Sequence, residues 1–252
     1  MSEKYNFSLF TRENFKSYID NLKVDKNFTT IQIHHTASPS YANCNGKNQI
    51  KLMESMKNAH LQRGFQTIAQ HLSSFPDGLI CTGRSFSLDG GGFYGNENKN
   101  SITIENVGWF DIGKDIMTEE QKETIIFMVA VLCKKFNIIP STSTILYHTW
   151  MPSAKKTCPG SNFYGGNSKE SANKNFIPLI KKELDILNNV EEVINMLYKD
   201  DSEISKWAKT AVYDLQEKGL MGGSNNEFNP KDVVNRETLA QVIYNVLKYL
   251  GK

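Results

Sequence analysis

The sequence predicts an α/β fold followed by a small helical module. Residues 29–36, TTIQIHHT, and 101–108, SITIENVG, alternate apolar and polar side chains as β-strands do. Longer stretches with apolar residues at helical spacing lie between and after these strands, and from residue 203 onward only helical patterns occur. We therefore predict two domains, over residues 1–188 and 190–252, with a linker around Asn188 and Asn189.

Helical spacing in the first domain predicts helices over residues 11–22, 48–62, 118–137 and 176–187. The third helix begins at Thr118, with Gln121 as its expected capping-box partner. A hairpin is expected to turn at residues 76–78, Pro-Asp-Gly. Residues 90–100 and 162–175 are rich in Gly, Asn and Ser and predict loops.

The charge balance excludes some classes of partner. The 252 residues carry 29 Lys and Arg against 27 Asp and Glu, a net charge of +2 without long basic blocks, which argues against nucleic-acid binding. No apolar stretch reaches the length of a membrane span, and the first residues lack the apolar core of a signal peptide. Four irregularly spaced cysteines predict reduced thiols rather than a disulfide framework.

Three candidate metal ligands lie far apart in the sequence. His34 and His148 fall at the ends of predicted strands, where a sheet can bring them together, and Cys158 follows in a polar loop. In the first strand His34 points to the opposite face from Ile31 and Ile33, toward an expected polar surface. Three dispersed His or Cys ligands are typical of hydrolytic zinc sites, which leave a fourth position open for water.

Each of these residues also has a structural interpretation. A single His at a strand end is usually a hydrogen-bonded structural residue, and a single Cys is usually a small buried apolar one. We keep the structural interpretation for the other histidines, which are His35, His60 and His71. Taken alone, Glu105 is a solvated strand residue and Lys156 a loop charge.

Four segments in order resemble the N-acetylmuramoyl-L-alanine amidases of the peptidoglycan-recognition-protein and phage-lysozyme type. They are IQIHHTASPSY, RGFQTIAQHLSSFPDGLICTGRS, NSITIENVGWFD and YHTWMPSAKKTCPGSNF. The resemblance spans roughly residues 10–187 and implies a central mixed β-sheet flanked by helices. It also implies zinc ligation by His34, His148 and Cys158.

The same resemblance implies how the reaction proceeds. Water activated by zinc attacks the lactyl carbonyl of muramic acid and releases the L-alanine amine of the stem peptide. Glu105 matches the family's general acid/base, and Lys156 matches a lysine near the developing negative charge. Many relatives carry Tyr where this chain has Gln70, and because Gln cannot act as a base we expect at most an orienting role for it.

Three aromatic residues, Trp109, Phe110 and Trp150, follow the strands that carry Glu105 and His148. They are expected either to pack beside the cleft or to stack on sugar or peptide. The sequence leaves both interpretations open.

The tail, residues 203–250, resembles a single S-layer homology (SLH) motif, which implies binding to cell-wall polymer. Because this module commonly occurs in threes, association of three chains through residues 190–252 is one expectation. Trp207 and Arg236 are candidate wall contacts; the alternative is that Trp207 belongs to the core and Arg236 is a surface charge. A helical hairpin packed on the catalytic domain is the alternative for the whole tail.

The sequence thus predicts a zinc amidase of bacterial peptidoglycan. A phage or prophage endolysin is favoured over a host autolysin because no export signal is seen, so the chain is expected to be made in the host cytoplasm and to act on the wall after release. The alternative from another class is a non-catalytic peptidoglycan receptor on the same fold.

Overall fold

The computed structural model describes residues 7–152, 154–196 and 198–251, with residues 189–196 described by their backbone alone. Residues 1–6, 153, 197 and 252, which fall within the two predicted domains, lie outside the described residues. The chain divides into two compact units, Met1–Asp185 and Ile186–Lys252. The limits of the functional domains stay a prediction.

The described part of the first unit forms one six-stranded sheet in the order β1-β4-β3-β5-β2-β6. Its strands are β1 (Leu9–Phe10), β2 (Thr30–His35), β3 (Leu72–Ser74), β4 (Ile80–Thr82), β5 (Ser101–Asn106) and β6 (Ile145–Tyr147). The helices are α1 (Arg12–Asn21), α2 (Gln49–Gln62), α3 (Glu119–Phe136), α4 (Lys169–Asn175) and α5 (Ile177–Met196), the last of which continues past the end of this unit. Strands β3, β5, β2 and β6 pair in parallel, whereas β1, β4 and β3 pair antiparallel. The predicted α/β class with a central mixed sheet is confirmed.

The alternation of β2 and β5 supplies the core. Ile31 and Ile33 of β2 lie opposite Ile102 and Ile104 of β5, and all four side chains are fully buried. Parallel pairing with matched register sends every second residue of both strands to the same face. The isoleucines therefore share one face, and His34 and Glu105 share the other.

The second face of the sheet is buried, in contrast to the polar surface that we expected. Gln32 and His34 are almost fully inaccessible, because the segment of residues 90–100 lies over them. That segment contains a 3-10 turn at Gly95–Asn98 and is held by hydrogen bonds, including one from the Gln32 amide to the Asn98 side chain. The predicted loop is therefore an ordered one, since paired polar side chains fix it to the strands.

The N-terminus of α3 is capped differently from the predicted capping box. Thr118 Oγ1 accepts from the Gln121 backbone N–H as expected. The Gln121 side chain instead turns inward and donates to the carbonyls of Ser74 and Val107, and the Thr118 N–H donates to the Tyr41 hydroxyl. Burial of Gln121 explains this difference, because a buried amide must satisfy nearby carbonyls.

Two boundaries differ from the sequence prediction. The predicted loop over residues 162–175 contains α4, whose N-cap Ser168 accepts from the Ser171 N–H. The expected linker at Asn188 and Asn189 lies inside α5, whose backbone stays helical to Met196. Asn is only mildly unfavourable within a helix, and here it does not end one.

The second unit contains α6 (Lys209–Glu217) and α7 (Arg236–Tyr249), the two helices predicted for the tail. Its small core consists of Tyr198, Ile204, Val212 and Tyr213, with Phe228 packed against them. Trp207 is 88% exposed, so the alternative that it belongs to the core is wrong. None of the helices in the described part of the chain combines the length and apolar character that crossing a membrane requires.

Candidate metal and catalytic site

Three buried side chains converge near the carboxyl ends of strands β2 and β6. His34 lies near the end of β2, His148 directly follows β6, and Cys158 lies in the loop beyond, with one potential ligand atom from each residue within 4.8 Å of the others. His34 Nδ1 and Cys158 Sγ are 3.5 Å apart. Two ligands of a tetrahedral zinc ion, at about 2.0 Å for nitrogen and about 2.3 Å for sulfur, are about 3.5 Å apart. The spacing therefore fits a zinc ion.

The electrostatics of the cluster also fit a cation. Burial lowers the pKa of His34 well below its usual value and that of His148 to about 4, so both imidazoles are neutral at pH 7, the form that binds metals. Burial, together with the Glu105 carboxyl, raises the pKa of the Cys158 thiol well above its usual range. A positive ion beside the sulfur would offset this cost and favour the thiolate. The Nε2 atom of His148 is buried and has no hydrogen-bond partner among the described residues.

Glu105 and Lys156 reach the same site. Glu105 lies opposite His34 in the β2–β5 register, and its Oε2 atom is buried without a partner in the described part of the chain. Burial raises the pKa of Glu105 to about 8, and the positive charge of Lys156 opposes this rise. Lys156 is itself exposed, but its charge also lowers the pKa values of His34 and His148. The structure thus brings all five residues predicted from the sequence to one region.

Asp111 fixes the loop that carries Cys158, and the sequence analysis missed it. Its carboxylate accepts hydrogen bonds from the Ser161 N–H at 2.8 Å, the Thr157 hydroxyl at 3.0 Å and the Trp109 indole N–H at 2.7 Å. Partial burial opposes ionisation, but these bonds hold the pKa of Asp111 at about 2. Because the bonds reach both sides of Cys158, they restrain the ligand loop. The local sequence Trp-Phe-Asp gives no indication of these long-range hydrogen bonds of Asp111.

The imidazole rings of the other three histidines form hydrogen bonds with residues outside the cluster. His35 Nδ1 accepts from the Phe110 N–H, while the His35 backbone N–H donates to Cys158 Sγ at 3.4 Å. His71 Nδ1 accepts from the Thr103 N–H, and His60 Nδ1 accepts from the Ala69 N–H. These bonds agree with the structural interpretation of the three side chains.

Gln70 is fully buried beside the catalytic strands. Its amide donates to Ser73 Oγ at 3.2 Å and to Met56 Sδ. Ser73 lies opposite Glu105 in the β3–β5 register. Gln70 thus reaches the neighbour of Glu105, which agrees with an orienting rather than a proton-transfer role.

The aromatic residues near the site differ in accessibility. Phe110 is 1% exposed and packs in the core, which excludes stacking on a ligand. Trp150 stacks on Tyr147 with ring centroids 4.4 Å apart. Trp109 is the most exposed of the three at 38%, with its indole N–H held by Asp111 and the Lys114 ammonium 4.2 Å from its ring centroid.

Comparison with known families gives two matches along the chain. The family described as N-acetylmuramoyl-L-alanine amidase matches residues 25–161, which include all five residues of the site. The family described as the S-layer homology domain matches residues 197–240. A search of curated proteins found no match.

Solved structures similar to this chain include amidases and recognition proteins. The endolysin amidase LysCS from Clostridium intestinale is 25% identical, with 59% of this chain and 84% of that chain covered and a TM-score of 0.46. The amidase LysC from the same organism is 25% identical, with 59% and 85% covered and a TM-score of 0.45. Drosophila PGRP-LB is 24% identical, with 55% and 78% covered and a TM-score of 0.46.

Replacing Glu105 by Gln is expected to remove one contribution to the pH dependence of stability in the metal-free chain between pH 5 and pH 8. Because the pKa of Glu105 is raised from 4.5 to about 8 by folding, its stabilising contribution is fully present below pH 4.5 and is lost as the pH rises through 8. Between pH 5 and pH 8 this amounts to about 3 kcal/mol of unfolding free energy. Urea unfolding of chelator-treated wild type and Glu105→Gln at both pH values measures it.

The matched control is Glu54→Gln, which changes an exposed carboxylate on α2 and should show the same change in unfolding free energy between pH 5 and pH 8 as wild type. The same change in wild type and Glu105→Gln would contradict a buried, protonated Glu105.

Proposed function

Because this chain belongs to the N-acetylmuramoyl-L-alanine amidase family, we propose that it is a zinc-dependent enzyme that hydrolyses the bond between N-acetylmuramic acid and L-alanine in peptidoglycan. The observation that carries the proposal is the convergence of His34, His148 and Cys158 at the end of the parallel strands. Two neutral nitrogen donors and one sulfur donor leave a fourth coordination position free, as hydrolytic zinc sites do.

The three donors would hold the ion, and two further residues would act on the substrate. A bound zinc ion supplies a Lewis acid that polarises the scissile carbonyl and makes water more acidic. Glu105 would take the proton from the attacking water and return it to the departing alanine amine. Its pKa of about 8 lies close to neutral pH, where a group can both accept and release a proton.

Lys156 would stabilise the negative charge that develops on the lactyl oxygen. Lys156 lies on an exposed loop, and its ammonium carries a positive charge. This charge lowers the pKa values of Glu105, His34 and His148. A cation at this position stabilises the transition state more than the neutral substrate, which is the requirement for catalysis. Gln70 would orient the Ser73 side of the site without exchanging a proton.

A non-catalytic peptidoglycan receptor is the alternative on the same fold. Such a receptor needs the cleft but neither a metal nor a proton-transfer group. This chain retains three clustered donors and a buried carboxyl with an unpartnered oxygen, as judged over the described residues. Burying these groups costs free energy, and binding peptidoglycan does not require them. They therefore favour the enzyme over the receptor.

Digestion of purified cell wall by the full chain tests the reaction. We expect new alanine amino ends without new reducing sugar ends, and about one zinc ion per chain in protein purified without chelator. His34→Ala, His148→Ala and Cys158→Ala should lose zinc and activity together. His35→Ala is the matched control: it removes the bond to the Phe110 N–H and should lower stability while zinc is retained.

Reducing ends without amino ends would exclude the amidase reaction. Full zinc content in His34→Ala would show that the ligand set is wrong, and wall binding without any cleavage would favour the receptor.

The second unit is proposed to attach the enzyme to the wall. Its SLH match supports binding to a cell-wall polymer, and Trp207 and Arg236 are both exposed and available for contact. The apolar residues Leu239, Ile243 and Leu247 on α7 are 43–52% exposed, which favours association of three chains through this unit. We further propose a phage or prophage endolysin made in the host cytoplasm, with a host autolysin as the alternative.

Removal of the second unit should separate attachment from chemistry. A fragment ending near Asn188 is expected to cleave soluble muropeptides at the wild-type rate but to lyse whole cells poorly, because tethering raises the local substrate concentration. Sedimentation with intact walls compares the fragment, the full chain and Trp207→Ala, with Ile139→Ala, a change of an exposed apolar residue in the first unit, as the control. Equal wall binding and lysis by fragment and full chain would contradict attachment, and a monomeric full chain in solution would contradict the three-chain assembly.

A further inference from the structure

The two histidines of the cluster share one aromatic neighbour, Phe93. The centroid of its ring lies 5.2 Å from that of His34 and 5.5 Å from that of His148, while the two imidazole centroids are 4.7 Å apart. Phe93 is 6% exposed, so its ring is enclosed between the histidines and the rest of the protein. A single side chain therefore contacts both rings at once.

The residue before Phe93 closes the other side of His34. A Cβ atom at Gly92 would lie 2.3 Å from His34 Nε2 and 2.8 Å from Gln32 Oε1, so the backbone can approach this closely only as glycine. Because Nε2 faces Gly92 and Nδ1 faces Cys158, the orientation of the His34 ring is defined on both edges.

This arrangement differs from the usual support of metal-binding histidines. Such a histidine ordinarily donates its second ring N–H to a carboxylate, a carbonyl or water, which fixes the ring. His34 Nε2 is buried and finds no hydrogen-bond partner within residues 7–152, 154–196 and 198–251. Packing against Gly92 and Phe93 restrains this ring at the edge where the protein offers it no hydrogen bond.

The position of Phe93 is itself fixed by Asn98. The Phe93 N–H donates to Asn98 Oδ1 at 2.9 Å, and Asn98 Nδ2 donates to the Phe93 carbonyl at 2.7 Å. The same Asn98 oxygen accepts from Gln32 of β2 at 3.1 Å. The Asn98 side chain thus joins the Phe93 backbone to the strand that carries His34.

We propose that Phe93, locked by Asn98, is a positioning residue that holds the imidazoles of His34 and His148 in the orientation that binds the metal ion. The inference rests on the proposed zinc site and adds an aromatic wedge to it. It assigns a role in metal affinity to residues 92, 93 and 98, none of which belongs to the cluster of candidate ligands.

Metal binding by the chelator-treated full chain tests this role without reference to activity. Cobalt titration followed by visible absorption reports the coordination geometry, and competition with a zinc indicator reports affinity. Phe93→Leu is expected to weaken zinc binding at least tenfold, within the range of about 10–100-fold known for residues that support metal ligands, and to change the cobalt spectrum. Asn98→Ala, which leaves both the Phe93 ring and the imidazoles intact, should weaken binding in the same direction.

Phe86→Leu is the matched control, because Phe86 is 4% exposed and packs on Phe28, His71 and Phe136. It should retain wild-type affinity and spectrum. If Phe93→Leu does not fold, Asn98→Ala alone decides the outcome. Wild-type affinity in Phe93→Leu and Asn98→Ala, or equal weakening in Phe86→Leu, overturns the positioning role while the zinc site stands. If the unchanged chain binds neither metal, the proposed zinc site and this inference both fail.

Discussion

The parallel pairing of β2 with β5 on one side and β6 on the other determines where every functional group lies. It sets His34 beside Glu105 and brings His148 to the same edge, while the isoleucines of the same strands fill the core behind them. A slip of one residue would turn His34 into the core and His35 toward the metal ligands. The burial of the isoleucines, which stabilises the sheet, therefore also selects the histidine that faces the site.

Burying the ionisable groups of the site lowers the stability of the protein without a metal ion. A thiol, two imidazoles and a carboxyl all have pKa values shifted by burial in the direction that disfavours charge. A bound cation would offset this penalty for Cys158 and Glu105, so metal binding would also stabilise the fold. Gly92 and Phe93 pack closely against His34. Asp111 forms hydrogen bonds on both sides of Cys158. These contacts restrain the side chain of His34 and the loop of Cys158, which would otherwise be free to turn away.

Strand alternation and helical spacing were sufficient to predict the α/β class, the capping of α3 by Thr118 and the face of β2 that carries His34, while the mixed sheet was implied by the family resemblance. These features depend on neighbouring residues, which a sequence displays directly. The turn of Gln121 into the core, the contact of Asp111 with residues 157 and 161, and the position of Phe93 depend on residues distant in sequence. The sequence predicts a linker around Asn188 and Asn189, but α5 continues through them, since Asn is only mildly unfavourable within a helix.

X-ray absorption at the zinc edge of the purified full chain tests the central claim most directly, since it identifies the atoms bound to the metal. The account predicts one sulfur at about 2.3 Å and two imidazole nitrogens at about 2.0 Å, with one further light atom completing the shell. A zinc ion without sulfur in its shell, or a chain that retains no zinc, would contradict the site formed by His34, His148 and Cys158.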